Sequence, residues 1–475
     1  MKRALLIIIV MLTAICGCIS DERNEPPTIQ SFIPESTSME IEPYTSVNFL
    51  IDPLDPNEDN FTIRWYVDDT YEGDGTSLDH FFSGEGAYEV RCVLDDGEYN
   101  VPHIWHIDVN MDLDAIKSAV SDLRSLEFTT DVPFRTITRL ELSDLLEDDF
   151  KSSDEDLLVT QRLLSAFHVW DNDKPLQEQV LEFYTSGGDG FYDLEEKEFI
   201  LVDEESKNTV ARMVTIAHEL THVLQDQNYA ITERLETDND DELLAFTSLL
   251  EGDATLMEYT YLYSLDPGAL DDYIDYIQSI DDINVEQIIS DIIMFPYIYG
   301  FEFVADLVEK NGRDYLDEVF KAPPTSTEQV MHPEKYTSGE GYMQVELPEV
   351  QDMALVDENV LGEGSLFIIL DQHLDTDSAK RAAEGWNGDS YALYEKGDAE
   401  LLVFRIAWDS KDDLEEFLEL YIESMSSWEN IPQIISEGPA QYFLESEEDA
   451  ILIEWDENTV TVMTSNDVNT LSDFI

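Results

Sequence analysis

The spacing of hydrophobic residues changes near Met111, and this change constrains the fold more than any other feature of the sequence. Before it, short runs such as 61–67 and 88–94 alternate apolar with polar residues between Gly, Asp and Pro turns, which is typical of strands. After it, apolar residues recur at three- and four-residue steps, for example over 154–170, which is typical of amphipathic helices. The sequence therefore predicts a multidomain protein with an all-β sandwich over 28–111 and a mainly helical α+β region beyond it.

The predicted β domain carries a family resemblance. DPNEDNFTIRWYVDD (55–69), followed by GEGAYEVRCVLDDGEY (84–99), resembles the PKD-type immunoglobulin-like domains of archaeal and bacterial surface proteins. The resemblance implies an Ig-like sandwich with Trp65 in its core. The acidic turn offers three carboxylates, those of Asp55, Glu58 and Asp59. These could bind calcium, or they could form an ordinary solvated turn.

The first residues are typical of an export signal. Two basic residues precede an apolar run over 4–15, which is too short to span about 30 Å of hydrocarbon but has the length of a signal-peptide core. The Cys-Gly-Cys that follows resembles the lipobox of prokaryotic lipoproteins, and this implies a lipid on Cys18. An ordinary secretory signal is the alternative. We expect residues 1–18 to be a signal peptide with a lipobox and 19–27 a tether, on an exported protein anchored to the outer face of the cytoplasmic membrane.

Cysteine usage predicts no intramolecular disulfide in the exported chain. Of the three cysteines, Cys16 leaves with the signal and Cys18 is lipidated, so Cys92 has no partner. Val90, Cys92 and Leu94 share one face of a predicted strand. We therefore expect Cys92 to be a buried small hydrophobe rather than a reactive thiol.

The charge of the chain excludes several classes of partner. There are 25 Lys+Arg against 106 Asp+Glu in 475 residues, a formal charge of −81. Phosphate binding needs clustered Lys and Arg, so nucleic acid and anionic lipid headgroups are excluded as partners. Hydrophobic residues still make up 43%, which excludes global disorder. The charge predicts a saline exterior, or at least a fold that gains stability from added salt; acidic surroundings are the alternative.

A short motif carries the predicted chemistry. Residues 209–227 read TVARMVTIAHELTHVLQDQ, with apolar residues at helical spacing. His218 and His222 are one turn apart on the same face, so both imidazoles can reach one ion. Glu219 projects toward the same side. This is the HExxH arrangement of zinc peptidases, in which the histidines bind zinc and the glutamate acts as general base.

A catalytic zinc site needs a third protein ligand, and the next helical pattern offers one. Gln225 and Asn228 occupy the places that metzincins give to Gly and His, whereas gluzincins take a Glu from a second helix. The pattern over 242–263 holds Glu251 within LLEGDA, an apolar stretch in which a carboxylate needs a partner. Asp253 lies about 200° around the same helix and cannot face the same metal. We expect Asp253 to point toward a His ring or a loop.

Four segments together resemble a group of secreted prokaryotic gluzincin-like metallopeptidases. They are HELTHVLQDQ, LLEGDA, PPTSTEQVMHPEKY (323–336) and GWNGDSYALYEKGDAELLVFRIAW (385–408), and the resemblance covers roughly 113–421. It implies a zincin-like catalytic domain over 112–340, leaving 341–475 as an α+β C-terminal region. It also implies a zinc ion (Zn²⁺) and four roles: His218, His222 and Glu251 as ligands, and Glu219 as the base.

Other residues near these motifs have two interpretations each. His332 is the predicted catalytic donor to the developing oxyanion, with Tyr336 as its competitor. Asp226, one turn after His222, could hydrogen-bond a ligand imidazole or be an ordinary solvated Asp. The acidic run over 238–242 could bind calcium or begin a helix, where its charge suits the dipole.

The predicted function is that of a membrane-tethered extracellular zinc metallopeptidase, which hydrolyses peptide bonds of peptide or protein substrates through zinc-activated water. The alternative is a non-catalytic surface adhesion or ligand-binding lipoprotein with a structural metal site. Glu219 separates the two hypotheses, because a structural site has no need of a general base.

Overall fold

The structure is a computed structural model that describes residues 23–152, 154–170, 174–202, 208–280, 283–428, 430–446 and 449–471. The described chain divides after Asp112 into two compact units. The signal-peptide and lipobox predictions over 1–18, together with the first part of the predicted tether, lie outside the described residues.

The first unit is a β-sandwich. Its strands are β1 (Thr28–Ile33), β2 (Ser38–Ile41), β3 (Thr45–Leu54), β4 (Thr62–Val67), β5 (Thr70–Asp74), β6 (Ser77–Phe82), β7 (Gly86–Asp95) and β8 (Asn100–Val109). Over the described residues they form a sheet of order β1-β3-β6 and another of order β2-β8-β7-β4-β5. All neighbouring strands run antiparallel except β2 and β8.

Alternating residues of both sheets meet in one core. Phe49 and Phe82 from the smaller sheet pack with Trp65 and Trp105 from the larger one, because every second side chain of a strand points to the same face. Cys92 is buried in this core, as predicted. Burial raises the pKa of its thiol to about 11, which keeps the thiol protonated and unreactive.

The second unit combines helices with two sheets. Its helices are α1 (Leu113–Arg124), α2 (Arg139–Ser152), α3 (Asp154–Ala166), α4 (Leu176–Gly187), α5 (Thr209–Tyr229), α6 (Thr232–Leu235), α7 (Asp240–Ser264), α8 (Pro267–Ser279), α9 (Gln287–Asn311), α10 (Leu316–Lys321), α11 (Thr327–Met331), α12 (Pro333–Ser338), α13 (Gly362–Asp371), α14 (Thr376–Ala383), α15 (Lys411–Ser424) and α16 (Val468–Leu471). Its strands are β9 (Phe134–Ile137), β10 (Gly190–Asp193), β11 (Glu198–Val202), β12 (Ala354–Asn359), β13 (Trp386–Lys396), β14 (Ala399–Trp408), β15 (Gln433–Gly438), β16 (Gln441–Glu445), β17 (Ala450–Trp455) and β18 (Thr459–Ser465).

Side-chain caps define where the two central helices begin. Asn208 caps α5 by accepting a hydrogen bond from the Val210 backbone N–H, and Asn239 caps α7 by accepting one from the Glu242 N–H. Each cap satisfies a backbone donor that the first turn leaves free. The acidic run over 238–242 is therefore the capped first turn of α7, in keeping with the helix-terminus interpretation.

Helices α7 and α9 cross at very short range through two glycines. A Cβ atom on Gly252 would lie 2.2 Å from the carbonyl oxygen of Gly300, and one on Gly300 would lie 2.0 Å from that of Ser248. Only residues without a side chain fit such a contact. By length and apolar composition α9 could cross a membrane, but Phe303, Val304 and Leu307 of this helix pack into a core shared with α7, which accounts for its apolarity.

Over its described residues, the segment after 340 belongs to the same compact unit as the helices before it. The segment contributes a sheet of order β12-β13-β14-β18-β17-β16-β15, antiparallel between all neighbours over the described residues. Its core also takes in Leu163 and Phe167 from the α3 segment and Phe295 from α9, and Phe167 meets Phe404 of β14 edge to face. The boundary expected at 340/341 therefore does not separate two cores.

Candidate metal centre

Three potential ligand atoms from two helices converge in the second unit. The Nε2 atoms of His218 and His222 lie 3.0 Å apart, and Glu251 Oε2 lies 3.2 Å from the first and 3.4 Å from the second. Four ligands at about 2.0–2.1 Å from a tetrahedral zinc ion are themselves about 3.3–3.4 Å apart. The three groups could hold a metal ion.

Glu251 has a buried carboxylate oxygen that no described residue satisfies. Its Oε2 is buried and makes no hydrogen bond of acceptable geometry to any described residue, although two imidazole nitrogens lie beside it. A buried carboxylate oxygen without a hydrogen bond is costly, and a metal ion shared with the two histidines removes that cost. The donor set therefore fits a divalent transition metal, with two imidazoles and one carboxylate.

Each imidazole is oriented by a hydrogen bond on its far side. His218 Nδ1 lies 2.6 Å from Glu258 Oε1, and His222 Nδ1 lies 2.9 Å from Gln225 Oε1. Because both partners accept, each Nδ1 donates to its partner, and in the neutral imidazole this leaves Nε2, the atom that faces Glu251, as the nitrogen with the lone pair. The sequence reasoning missed both partners, although Glu258 lies seven residues after Glu251, two turns along the same helix face.

Asp226 does not reach either histidine. Its carboxylate accepts hydrogen bonds from the Tyr192 hydroxyl and the Lys197 ammonium, both at 2.9 Å. The suggestion that Asp226 orients a ligand imidazole is therefore wrong. Asp226 lies one turn beyond His222 on nearly the same face of α5, where its carboxylate meets the β10–β11 hairpin instead of the imidazoles.

Asp253 belongs to a buried ion pair and lies apart from the His218–His222–Glu251 group. Both of its oxygens accept from Arg124 Nε, at 2.9 and 3.1 Å, and both side chains are almost completely buried. Its Oδ2 also accepts from Gln225 Nε2 at 3.1 Å. Asp253 thus points away from the His218–His222–Glu251 group; among the described residues it approaches His222 only through Gln225 and contacts no His ring itself.

The charges of the site act strongly on one another. Burial disfavours the charged forms of His218 and Glu251, but their mutual attraction outweighs it. Glu251 and Glu258 raise the pKa of His218 well above its usual value. The two histidines hold the pKa of Glu251 well below its usual value. Burial raises the pKa of Glu219, and the nearby histidines offset part of that rise. Glu219 is thus a buried carboxyl group with raised proton affinity beside His218, His222 and Glu251.

A tyrosine that sequence reasoning missed lies against this group. The ring of Tyr297, from α9, stacks on the His218 ring at 6.0 Å between centroids and 20° between planes. Burial and the charges of Glu251 and Glu219 raise the Tyr297 pKa well above its usual value, so the phenol stays protonated. Within the described chain its hydroxyl has no hydrogen-bond partner and is free to donate to a ligand.

His332 and Tyr336 lie in other surroundings. His332 Nε2 lies 2.8 Å from Glu363 Oε1, and this hydrogen bond raises the pKa of His332. Tyr336 donates to the Ala322 carbonyl oxygen at 2.8 Å. Neither contacts His218, His222 or Glu251 among the described residues, so the structure does not bring these two candidates to the metal ligands.

A second group of carboxylates encloses a lysine. Glu328, Glu340 and Asp409 lie close enough together to hold a metal ion. The ammonium of Lys335 already lies 2.6, 3.1 and 2.7 Å from them. The lysine supplies the positive charge that this cluster needs, so the cluster is an ion-pair network rather than a metal site.

The comparison with protein families matches the C-terminal part of the chain. A family model described as "Domain of unknown function (DUF8575)" matches residues 350–474, which run from before β12 to the C-terminus. No curated protein matches the chain.

Among solved structures the likenesses are weak. A quinonprotein alcohol dehydrogenase-like protein from Bacteroides thetaiotaomicron is 14% identical over 18% of this chain and 20% of its own, with a TM-score of 0.16. Fibronectin(III)-like modules of Clostridium thermocellum CbhA are 15% identical over 18% of this chain and 47% of theirs, with a TM-score of 0.16. A putative alpha-galactosidase from Bacteroides fragilis is 8% identical over 93% of this chain and 98% of its own, with a TM-score of 0.14. The match thus spans about a fifth of the first structure, and none of the three TM-scores is high enough to support an argument about fold.

Proposed function

We propose that the second unit is a zincin-like, gluzincin-type zinc metallopeptidase that cleaves peptide or protein substrates. The observation that carries the proposal is the triangle of His218 Nε2, His222 Nε2 and Glu251 Oε2, with sides of 3.0, 3.2 and 3.4 Å. The buried Glu219 beside it would supply a general base, which a structural metal site does not need. We further propose that the first unit is a PKD-type Ig-like spacer and that the exported chain is anchored by a lipid on Cys18.

In this proposal His218, His222 and Glu251 hold zinc and leave a fourth position open. A bound zinc ion would polarise the scissile carbonyl and lower the pKa of a water ligand. Glu219 would take the proton of the attacking water and pass it to the leaving amine, a role that suits its raised pKa. Glu258 and Gln225 would keep the two imidazoles in the tautomer that binds metal.

Tyr297, rather than His332, is the proposed donor to the oxyanion. Its protonated phenol stacks on His218 and has no hydrogen-bond partner among the described residues, whereas the His332 ring already bonds to Glu363. A donor free in the resting state can give its hydrogen bond to the negative oxygen that forms as the carbonyl is attacked.

Glu219→Gln tests the proposed function. The amide cannot accept the proton, so the variant should retain zinc and lose proteolysis, as measured by zinc per chain after dialysis and by cleavage of a broad peptide library. Glu233→Gln is the matched control, because it makes the same change at an exposed position on α6 and should leave both measurements unchanged.

The same experiment separates the enzyme from a non-catalytic lipoprotein. Unchanged cleavage by Glu219→Gln, or by wild type treated with a chelator, would show that this site does not carry the activity. A zinc-loaded wild type that is inert on the whole peptide library would favour the adhesion or ligand-binding alternative, in which the metal serves only structure.

Tyr297→Phe tests the assigned donor. Removing one oxyanion donor costs about 100- to 1,000-fold in kcat, so we expect that loss with zinc content unchanged. Tyr263→Phe, on an α7 side chain that is 69% exposed, is the control. If Tyr297→Phe keeps wild-type kcat while His332→Gln loses it, the donor is His332.

A further inference from the structure

The second unit contains an apolar cavity that is lined by residues other than those of the metal centre. The cavity has a volume of about 220 Å³ and lies between α3, α7, α9, α13 and β13. Its walls are largely aliphatic, with Leu164, Leu244, Ile292 and Ile368 among the side chains that form them. Protein interiors leave few voids larger than a water molecule, so a cavity of this size and composition points to an apolar occupant.

The polar part of the lining reaches solvent and carries carboxylates. Asp240 and Tyr391 both line the cavity, and Asp240 is exposed. The Tyr391 hydroxyl lies 3.3 Å from Asp240 Oδ2 and 2.9 Å from Asp357 Oδ2. Burial and these two carboxylates raise the pKa of Tyr391 well above its usual value. The hydroxyl therefore keeps its one hydrogen, which it can donate to only one of the two carboxylates.

The charge at this opening selects the kind of ligand. Neither Asp240 nor Asp357 forms an ion pair within the described part of the chain, so two like charges meet at one hydroxyl without a cation. These charges repel an anion such as a fatty acid, whereas an ammonium group offers up to three hydrogen bonds and a positive charge. An inorganic cation would compensate the charge but would leave the apolar walls without an occupant.

We propose that this cavity binds a small hydrophobic amine, with its apolar body between the helices and its ammonium group at Asp240 and Asp357. An engineered apolar cavity of about 150 Å³ holds benzene, so a cavity of about 220 Å³ suits a ligand of about eight or nine non-hydrogen atoms. The inference goes beyond the proposed peptidase, because it concerns binding at a separate site and is tested without any measurement of cleavage.

Phenethylamine is a suitable probe, because it joins a benzene ring to an ammonium group by a short chain. Phenethyl alcohol has nearly the same shape and no charge. Each is titrated into the full chain by calorimetry in molar KCl, which screens diffuse attraction to the −81 charge. We expect the amine to bind with a Kd of about 0.1–1 mM. It should bind at least about 10-fold more tightly than the alcohol, because hydrogen bonds to charged groups are the stronger ones.

Two variants locate the binding. Ser365→Leu places a larger side chain in the cavity wall and should abolish binding of both probes. Asp240→Asn removes one charge at the opening and should weaken binding of the amine about 10-fold while leaving that of the alcohol unchanged. Ser279→Leu and Asp238→Asn are the matched controls, because they make the same changes at exposed positions and should leave both affinities unchanged.

If Ser365→Leu fails to fold, Asp240→Asn decides the question, since it changes only the charge of an exposed side chain. Equal affinity of the wild type for the amine and the alcohol would overturn the proposal, because the carboxylates would then select nothing. Wild type that binds neither probe would overturn it as well. So would a folded Ser365→Leu protein, or an Asp240→Asn protein, that binds the amine as tightly as wild type does, by showing that the amine binds elsewhere.

Discussion

At the scale of single residues, Glu251 and Asp253 differ by two positions on α7 and share no partner. Glu251 Oε2 lies beside two imidazole nitrogens, whereas Asp253 pairs with the buried guanidinium of Arg124. A step of two residues turns a helix by about 200°, so the two carboxylates leave the helix on opposite sides. One can be a metal ligand only if the other is not.

This difference predicts opposite effects for two substitutions. Glu251→Ala should abolish zinc retention, because it removes a ligand at the centre of the proposed site, and the stability it loses should be that of the bound zinc. Asp253→Ala should weaken zinc binding by at most about 10- to 100-fold through Gln225, but it leaves the Arg124 charge buried and unpaired, which costs about 3–5 kcal/mol of unfolding free energy.

Zinc per chain after dialysis and the urea midpoint of each variant separate the two effects. As a control, the double variant Arg124→Met/Asp253→Leu removes both charges and should recover much of the stability lost in Asp253→Ala. If Asp253→Ala retains no zinc and Glu251→Ala retains it fully, the ligand assignment is reversed. The helix with His218 and His222 would keep its proposed chemistry.

The sequence indicated the ligand candidates but not their surroundings. His218 and His222 are related by one helical turn, and Glu251 is a carboxylate among leucines, so local patterns make all three candidates; the resemblance to gluzincin-like metallopeptidases implies their roles as ligands. Tyr297 is different, because its position against His218 depends on how α9 crosses α7. Such a contact is set by tertiary packing, and no pattern within a single helix encodes it.

At the scale of elements, the close crossing of α7 and α9 positions both Glu251 and Tyr297. The sequence did not indicate α9, since Pro296 and Gly300 argue against a helix interior. In the structure these same residues have a use. Gly300 lets the backbones meet, and Pro296 lies within the helix just before Tyr297, where the missing N–H allows the helix axis to bend.

Gly252→Ala tests this crossing. The new methyl group would meet the Gly300 backbone at 2.2 Å, and overpacking of this kind typically costs about 1–3 kcal/mol, even though alanine is the better helix former. We therefore expect a lower melting temperature and weaker zinc retention, since Glu251 is the neighbouring residue.

The matched control is Gly341→Ala, where an added Cβ meets nothing within 4 Å and stability should be unchanged. Both variants can be compared by thermal unfolding and by zinc content after dialysis. If Gly252→Ala is as stable as wild type and fully loaded with zinc, the two helices can move apart without loss of stability, and their close crossing does not position Glu251.

At the scale of the whole molecule, the order of strands in the large sheet could not be predicted from the sequence. The runs that form β13, β14, β17 and β18 are recognisable as strands, yet β14 pairs with β18 in the order β12-β13-β14-β18-β17-β16-β15, although helix α15 and the three strands β15 to β17 lie between them in the chain. The sharing of one core between α3 and this sheet likewise joins segments more than 200 residues apart. Long-range pairing of this kind depends on which apolar faces meet, and a period of two or 3.6 does not specify it.

The excess of acidic residues should make the whole fold sensitive to pH as well as to salt. Inside the second unit, burial raises the pKa of Asp241 to about 7, with Asp389 and Glu363 adding repulsion, and burial likewise raises that of Glu328 to about 7. A carboxyl group whose folded pKa is raised contributes stability that is complete below its ordinary pKa near 4 and is lost as the pH rises through the folded value.

We therefore expect the unfolding free energy to fall between pH 6.5 and 8. The window starts at pH 6.5 because burial lowers the pKa of His168 to about 4, and a buried neutral histidine acts in the opposite direction at lower pH. Asp241→Asn, which cannot titrate, should show a shallower fall.

Molar KCl should stabilise the protein at every pH by screening surface repulsion beyond about 3 Å. It should leave the difference between wild type and Asp241→Asn in place, since that carboxyl is buried. Urea titrations of the zinc-loaded protein at both pH values, with and without KCl, measure all four slopes. Equal slopes for the two proteins would show that Asp241 does not titrate in this range, and a difference that disappears in KCl would assign it to the surface charge instead.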